Sequence, residues 1–184
     1  MNDYHEFEDF LSRHSKVFFK PDNTYCGNVI ELWNTDDSEI TELYEKASKR
    51  TAVLDEPVIQ HPDLARINPD CLNTVRMYTL MIQDTCHFVA PGFRMGRRGS
   101  IVDNIEKGGL AAGVDIRTGT IISPAYDLKM NEYPVHPDTG VQITGYSIPN
   151  WTELLRFAKE CAKACPRQVC RMGFCGTRKR LRTD

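Results

Sequence analysis

Glycine and arginine recur throughout residues 73–144, and this recurrence constrains the fold more than any global property of the chain. Short strand-like runs alternate there with stretches that contain glycines, arginines and one Asp-Asn pair. Because glycine adopts positive φ angles and lets the backbone approach a ligand closely, such stretches readily form loops. Arginine adds planar, permanently charged donors that match phosphate oxygens. The pattern therefore predicts loops that enclose an anionic ligand.

Length and charge limit the remaining possibilities. A chain of 184 residues has room for one ordinary domain or two small lobes. Hydrophobic residues make up 41% and charged residues 26%, which argues against wholesale disorder. The net charge of -2 gives no bulk attraction to nucleic acid or to anionic lipid, so we expect no nucleic-acid partner.

The expected compartment is the cytoplasm. No apolar run approaches the roughly 20 residues that span a bilayer, so we expect no transmembrane segment. The first ten residues carry acids where a signal peptide carries a basic region. Peripheral membrane association stays open, and no feature indicates an oligomeric state. The seven cysteines are an odd number without a secretion signal, which favours reduced thiols over a disulfide framework.

Hydrophobic periodicity predicts an α+β fold with antiparallel sheets and flanking helices. An amphipathic helix begins near Tyr4, and Asp37 or Ser38 is placed to cap a second helix that presents Ile40 and Leu43. A third helix runs from residue 149 or 150 to 165. The predicted strands or strand-like pieces are residues 16–20, 29–33, 51–54, 74–82, 88–95, 114–116, 120–122 and 141–148. Residues 96–113 have too little periodicity for a regular element.

Three features could bind an anion. Lys20 ends an apolar strand beside a glycine-containing turn, although an edge lysine that flanks a strand is the plainer interpretation. Arg76 lies within a strand, where it needs a ligand or a structural salt bridge. Residues 94–109 combine Arg94, Arg97 and Arg98 with Asp103-Asn104 and with glycines, and could hold a phosphate unless they form a solvated surface loop.

The histidines and the C-terminal cysteines give weaker signals. His61 and His136 each precede Pro-Asp, so a structural or substrate-contacting role is favoured over catalysis. The tail contains six basic residues, and with the end of the last predicted helix it has four cysteines spaced more widely than usual zinc ligands. A zinc or nucleic-acid module is therefore the alternative from a different functional class. The four cysteines are Cys161, Cys165, Cys170 and Cys175.

Several longer sequence motifs then point to a family. In order, they are VIQHP, NPDCLNTVR, FRMGRRGSIVDN, GGLAAGVD, SPAYD, VHPDTG and IPNW. With them, the run from Phe19 to Trp151 resembles the sugar-transfer-associated ATP-grasp proteins, which are related to alpha-L-glutamate ligases. The resemblance implies an ATP-grasp-like α+β fold, ATP as the nucleotide and a carboxylate of unknown identity as the substrate. It also links the chain to polysaccharide and sugar-transfer pathways.

The resemblance implies that the first lobe binds the nucleotide. Lys20 resembles the lysine that reaches the ATP phosphates, with residues 24–27 as the phosphate loop. Residues 55–59 resemble the hinge, where Glu56 and the backbone near Val58 meet ribose and adenine. Pro57 removes one amide donor from that hinge.

Other residues correspond to the catalytic lobe. Arg76 and Arg94 resemble the arginines that face the phosphates and the acyl intermediate. Asn104, with Gly108 and Gly109, resembles the loop that closes over nucleotide and acceptor. In the family's reaction a carboxylate attacks the γ-phosphate, and an amine or another nucleophile then displaces the acyl phosphate.

The chain departs from the family where magnesium binds. The family holds Mg²⁺ through acids on late strands, but here no glutamate follows Glu160 and the only later aspartate is Asp184. We therefore predict no metal ligands, a truncated pattern at both ends with an incomplete C-terminal lobe, and weak or absent turnover. A non-catalytic nucleotide-binding fragment is the alternative. The predicted parts are a lid-like subdomain at 1–54, a partial C-terminal ATP-grasp subdomain at 55–165, and a poorly ordered Cys/Arg-rich tail at 166–184.

Overall fold

The computed structural model describes residues 3–22, 30–36, 39–165, 167 and 169–177, and the backbone of residues 181–183. The chain forms two units, Met1–Val58 and Ile59–Asp184. Each unit has an antiparallel sheet and its own hydrophobic core, with helices alongside. These features confirm the α+β class predicted from the sequence. The boundary between the two units lies after Val58, whereas the sequence analysis predicted a boundary after residue 54.

The first unit contains a three-stranded sheet in the order β2-β1-β3. Strand β1 pairs with both neighbours, and its alternation buries Val17 and Phe19 while Lys16 and Lys20 are exposed. The Phe19 and Trp33 rings stack at 4.4 Å between centroids. The elements are α1 (Tyr4–Ser12), β1 (Lys16–Pro21), β2 (Glu31–Asn34), α2 (Ile40–Ser48) and β3 (Ala52–Asp55).

Most of the predicted elements of this unit are present. Helices α1 and α2 bury Phe7, Leu11 and Leu43 in the same core as the sheet. The predicted caps Asp37 and Ser38, and the proposed phosphate loop at residues 24–27, lie outside the described residues.

The second unit is built on a seven-stranded antiparallel sheet in the order β10-β9-β4-β5-β6-β7-β8. Its elements are α3 (Pro62–Ile67), β4 (Thr74–Ile82), β5 (Thr85–Met95), β6 (Leu110–Gly113), β7 (Ala125–Tyr126), β8 (Glu132–Tyr133), α4 (Trp151–Ala164), β9 (Val169–Gly176) and β10 (Leu181–Thr183). Among the residues described, no helix is long and apolar enough to cross a bilayer.

The central strands of this sheet have one apolar face and one polar face. Because side chains alternate along a strand, Val75 and Met77 of β4 lie on the face that also carries Phe93 and Phe174 from its neighbours. These four residues are fully buried in a core to which α4 contributes Leu154 and Ala158. The opposite face carries Thr74, Arg76 and Arg94.

The C-terminal tail differs from the prediction. We expected residues 166–184 to be poorly ordered, but Val169–Gly176 forms β9 and pairs with β4 over seven residues, from Thr74 to Leu80. The basic and Cys-rich composition of the tail gave no indication of a strand. Met172 and Phe174 nevertheless supply alternating apolar side chains for the core. Long-range pairing with β4 thus determines the conformation of this segment.

Several other segments also differ from the prediction. Residues 141–148 do not form a strand; their β-pairing is confined to isolated bridges, because Gly145 has φ +86° and the chain turns there. The predicted strand-like pieces 114–116 and 120–122 likewise form only isolated bridges. Helix α3 and strands β6, β7, β8 and β10 were not predicted. The prediction of residues 74–82 and of a helix over 149/150–165 is confirmed by β4 and α4.

The cysteine chemistry also differs in one respect. We expected reduced thiols, but Cys165 and Cys170 form a disulfide across the connection between α4 and β9. Cys71, Cys86 and Cys161 are not part of this disulfide and are free thiols. Burial raises the pKa of the Cys71 thiol to about 12, so this thiol is not a nucleophile near neutral pH.

Gly119 provides a test of packing between a turn and α4. Its φ is +73°, and a Cβ there would lie 2.4 Å from Cγ of Trp151. The Trp151 indole donates a hydrogen bond to the Ile116 carbonyl at 2.8 Å, so the ring has little freedom to move. We expect Gly119→Ala to lower the free energy of unfolding by about 2–4 kcal/mol, from backbone strain plus overpacking.

Gly145→Ala is the matched control, because φ there is +86° and open space surrounds the site. It should cost only the backbone term, about 1 kcal/mol. Urea unfolding of both variants measures the difference, and equal losses would contradict the packing described for Trp151.

Candidate functional site

Arg94 is held by the loop that follows its own strand. Its Nη2 donates to the Asp103 carbonyl at 3.2 Å and to the Asn104 Oδ1 at 3.3 Å, and it lies 3.5 Å from the Asp103 carboxylate. Asp103 also accepts a hydrogen bond from the Thr74 hydroxyl on β4. The structure therefore brings together two of the predicted catalytic residues, Arg94 and Asn104. The Arg94 Nε is buried without a hydrogen-bond partner in the described structure.

Glycine makes this loop conformation possible. A short 3-10 helix, Ile105–Lys107, begins after Asn104, whose Oδ1 also accepts the Glu106 amide at 3.1 Å. Gly108 ends it with φ +87°. Gly109 donates its amide to the Asn104 carbonyl at 3.0 Å, and a Cβ at Gly109 would lie 2.5 Å from the Asp103 carbonyl oxygen. Gly108 and Gly109, predicted to bind nucleotide, thus shape the loop that holds Arg94.

Arg76 lies on the same face of the sheet as Arg94. It is flanked by glycine on both neighbouring strands, Gly92 on β5 and Gly173 on β9. Its guanidinium lies over Gly173, where a Cβ would approach Nη1 to 2.5 Å. Arg94 is the residue opposite Thr74, so the two arginines are diagonal neighbours with Cα atoms about 7–8 Å apart. Both side chains rise from the same face of the sheet, with the Arg76 guanidinium over β9 and the Arg94 guanidinium against residues 103–104.

The residues that neighbour the two arginines on this face have small side chains or none. Gly113 pairs with Gly92, and Ala111 pairs with Arg94, so the part of this face between β5 and β6 carries almost no side-chain bulk. We call this face, which carries Arg76 and Arg94 beside the paired glycines Gly92, Gly113 and Gly173, the arginine face. It offers planar, bidentate donors. Chemically, it fits a phosphate or a carboxylate.

The other two arginines of the loop have a different partner from the one expected. Arg97 donates from Nε and Nη2 to the Asp138 carboxylate at 2.6 and 3.1 Å. The Arg98 backbone amide donates to the same carboxylate at 2.9 Å, and its guanidinium donates to the Asp138 carbonyl at 3.0 Å. Arg97 and Arg98 are therefore part of an internal ion-pair network, whereas the sequence favoured phosphate binding.

His136 is fully buried in the same network. Its Nε2 lies 3.0 Å from the Gly96 carbonyl oxygen. Burial lowers the pKa of the imidazole, which keeps it neutral near pH 7. Of the two roles left open for the His136 motif, the geometry supports the structural one.

The first unit contains the remaining predicted binding residues. Lys20 forms an ion pair with Asp55 at 2.7 Å, with both side chains about half exposed. Its ammonium lies beside an open depression that Asp22, Ile30 and Val53 also line. Glu56 lies 3.5 Å from the His14 imidazole. Val58, the last residue of this unit, is half-buried.

Two residues of the site were not selected from the sequence. Asp103 was noted only as part of the Asp-Asn pair, yet it is 8% exposed and contacts both Thr74 and Arg94. Asp138 was noted only as a turn residue. The signal that could have identified both is a surplus of arginines near a few acids, because a buried guanidinium needs an anionic partner.

The described residues do not fit a magnesium site. Nowhere in the ranges that the structure describes do three His, Cys, Asp or Glu side chains converge as metal ligands would. On β9 the residues that share a face with Arg76 are Val169, Arg171, Gly173 and Cys175, none of which is an acid. For the zinc alternative, Cys165 and Cys170 are bonded to each other.

The comparisons with known proteins give one match. The family model for sugar-transfer associated ATP-grasp matches residues 3–178. No curated protein and no solved structure matches significantly.

The Asp138 network makes stability depend on pH. The hydrogen bonds from Arg97 lower the pKa of Asp138 to about 2, below the value of about 3.9 in an unfolded chain. A depressed pKa stabilises the fold above pH 4, and this contribution is lost as the pH falls from about 4 to about 2. We expect Asp138→Asn to cost about 1–2 kcal/mol of unfolding free energy at pH 7.

Urea unfolding of both proteins between pH 2 and pH 7 measures this effect. The difference between them should shrink steadily below pH 4. A difference that stays constant down to pH 2 would show that the Asp138 charge does not stabilise the network.

Proposed function

Because the chain belongs to the sugar-transfer associated ATP-grasp family, we propose that the arginine face binds the phosphates of ATP. Arg76 and Arg94 supply the charged donors, and Asn104 supplies an amide beside them. The observation that carries the proposal is the placement of two arginines on one face of the sheet, with glycines paired beside Arg76 on both neighbouring strands. An arginine on a central strand, flanked by glycine on both sides, is suited to bind a ligand above the sheet.

The proposal gives the first unit a role in nucleotide binding. We propose Lys20 as a nucleotide-binding residue of this unit, because its exposed ion pair with Asp55 is weak and exchanges easily for a phosphate oxygen. Glu56 and the backbone near Val58 would contact ribose and adenine. The nucleotide would be ATP and the second substrate a carboxylate, in a cytoplasmic setting linked to sugar transfer.

Catalysis by the isolated chain should be weak or absent. ATP supplies the phosphoryl group that activates a carboxylate in ligases of this family. Arg76 and Arg94 can bind and orient the negative oxygens and exclude water from them. The described side chains do not offer the carboxylates that hold a bridging metal ion, so part of the charge stabilisation of a ligase site is missing.

The runner-up is a nucleotide-binding chain without catalysis. The observation that favours it is the face of β9 beside Arg76, which presents Gly173 and Cys175 and no acid. ATP consumption with a panel of carboxylates separates the two hypotheses. ADP release above the rate without protein indicates a weak ligase, and its absence together with tight ATP binding indicates the non-catalytic chain.

Arg94 offers the direct test of nucleotide binding. Arg94→Lys keeps the positive charge beside Asp103 but loses the planar fork, so ATP affinity should fall about 10-fold, the value of one charge-assisted hydrogen bond. Arg156→Lys is the matched control, since this arginine lies on α4 with 65% of its side chain exposed. Calorimetric titration with ATP measures both affinities.

Lys20 extends the test to the first unit. Lys20→Met should weaken ATP binding, whereas Lys16→Met, on the same strand and also exposed, should not. If Arg94→Lys binds ATP as tightly as the unaltered chain, the arginine face is not the phosphate site.

Metal removal provides an independent test. The anion contacts of the arginine face come from guanidinium and amide groups, so ATP affinity should change less than about threefold when EDTA replaces Mg²⁺. The titration is run at constant ionic strength, because salt alone weakens these contacts. Loss of binding in EDTA would show that the magnesium complex of ATP is the form bound, and would contradict an assignment to guanidinium and amide groups alone.

A further inference from the structure

Two loops hold each other at the edge of the arginine face. The carboxylate of Asp138 accepts three hydrogen bonds from residues 97–98, two of them from the Arg97 guanidinium. The Arg98 guanidinium returns a fourth to the Asp138 carbonyl. The Asp138 side chain is only 17% exposed, so its two bonds from Arg97 are partly shielded from solvent, whereas the bonds from Arg98 lie at the surface. We call residues 136–140 the clamp loop and residues 96–109 the arginine loop.

The clamp loop is itself fixed to the body of the second unit. His136 is fully buried against the Gly96 carbonyl, and Thr139 donates to the Ile67 carbonyl at the end of α3 at 2.8 Å. Gly96 fits because it has no side chain, since a Cβ there would lie 2.2 Å from the Cys71 sulfur. The clamp loop therefore connects α3 to the beginning of the arginine loop.

The rest of the arginine loop leads back to the guanidinium group of Arg94. Beyond Arg98, the Gly99 amide donates to the Asp70 carboxylate at 3.1 Å. The chain next reaches Asp103 and Asn104, which contact Nη2 of Arg94. Strand β5, which carries Arg94, thus ends just before the anchored residues 96–98, and the loop that orients the Arg94 side chain begins at them.

We propose that Asp138 is a positioning residue for anion binding: it sets the path of the arginine loop so that Asp103 and Asn104 orient Arg94 toward the ligand. Asp138 does not touch the ligand in this scheme. The inference rests on the proposed function, because the ligand is taken to be the phosphate chain that Arg94 binds. It also assigns a role to the VHPDTG and GRRGS motifs, whose conformations are coupled through the Asp138 carboxylate.

The test compares Asp138→Asn with Asp127→Asn in the full chain. Asp127 is a matched control because it also fixes a loop, and the hydrogen bonds it accepts come from Lys129, Asn131 and Tyr133 within its own turn. Asp138→Asn should weaken binding of inorganic tripolyphosphate by 5-fold to 20-fold, whereas Asp127→Asn should change it less than twofold. Titrations are run well below the unfolding temperature of each variant.

Amide hydrogen exchange provides a second measurement that needs no ligand. Asp138→Asn should speed exchange at the amides of residues 98, 100 and 109 at least 10-fold and leave α4 unchanged. Asp138→Glu, which keeps the charge, should recover part of both effects. A purely structural role predicts instead that both Asp→Asn variants affect binding in proportion to their loss of stability.

The outcomes separate this inference from the proposed function. If the unaltered chain does not bind tripolyphosphate or ATP, the proposed function is wrong and the positioning role falls with it. If the chain binds but Asp138→Asn binds equally well, only the positioning role is wrong. Unchanged exchange in the arginine loop of Asp138→Asn also overturns it, whatever the affinity.

Discussion

The pairing of β4 with both neighbours is the constraint on which the second unit depends. One strand supplies Val75 and Met77 to the core and Arg76 to the opposite face, and β5 and β9 fix both at once. A slip of one residue would turn the apolar side chains toward solvent and bury the guanidinium. Burial of the apolar face thus stabilises the register, and the register presents the arginines. Core packing and the placement of the two arginines are therefore set by the same backbone hydrogen bonds.

Burial of charge on the arginine face needs compensation, and the surrounding sequence provides it. Arg76 is accommodated by the absence of side chains at Gly92 and Gly173. Arg94 is accommodated by carbonyl, amide and carboxylate oxygens of the returning loop. That loop is short of apolar residues, so its conformation depends on polar contacts with buried partners, which are stronger than exposed ones. The many glycines and arginines of this segment are thus explained by two needs, space beside one guanidinium and oxygen atoms around the other.

Local pattern predicted the elements whose stability is mainly local. The apolar periodicity of α1, α2 and α4, and the alternation in β1 and β4, gave their type and approximate bounds. The predictions failed where pairing with distant residues, or a backbone angle, determines the structure. Strand β9 forms because β4 needs a neighbour, and Gly145 breaks residues 141–148 by a backbone angle that periodicity does not encode. In the site, the arginines and Asn104 could be selected by residue type, but the partners Asp103 and Asp138 could not, since loop closure over 9 to 41 residues joins them.

The contact between Arg76 and β9 bears on the relation of the chain to its family. ATP-grasp proteins hold magnesium through acids on late strands, and β9 is the late strand that pairs directly with β4. An acid at position 173 would place its Cβ 2.5 Å from the Arg76 guanidinium, so it would displace that group or form an ion pair with it. A carboxylate paired with arginine has fewer lone pairs left for a metal ion. The position of Arg76 and the lack of an acid on this face of β9 are therefore mutually consistent, and together they describe a surface suited to anions more than to cations.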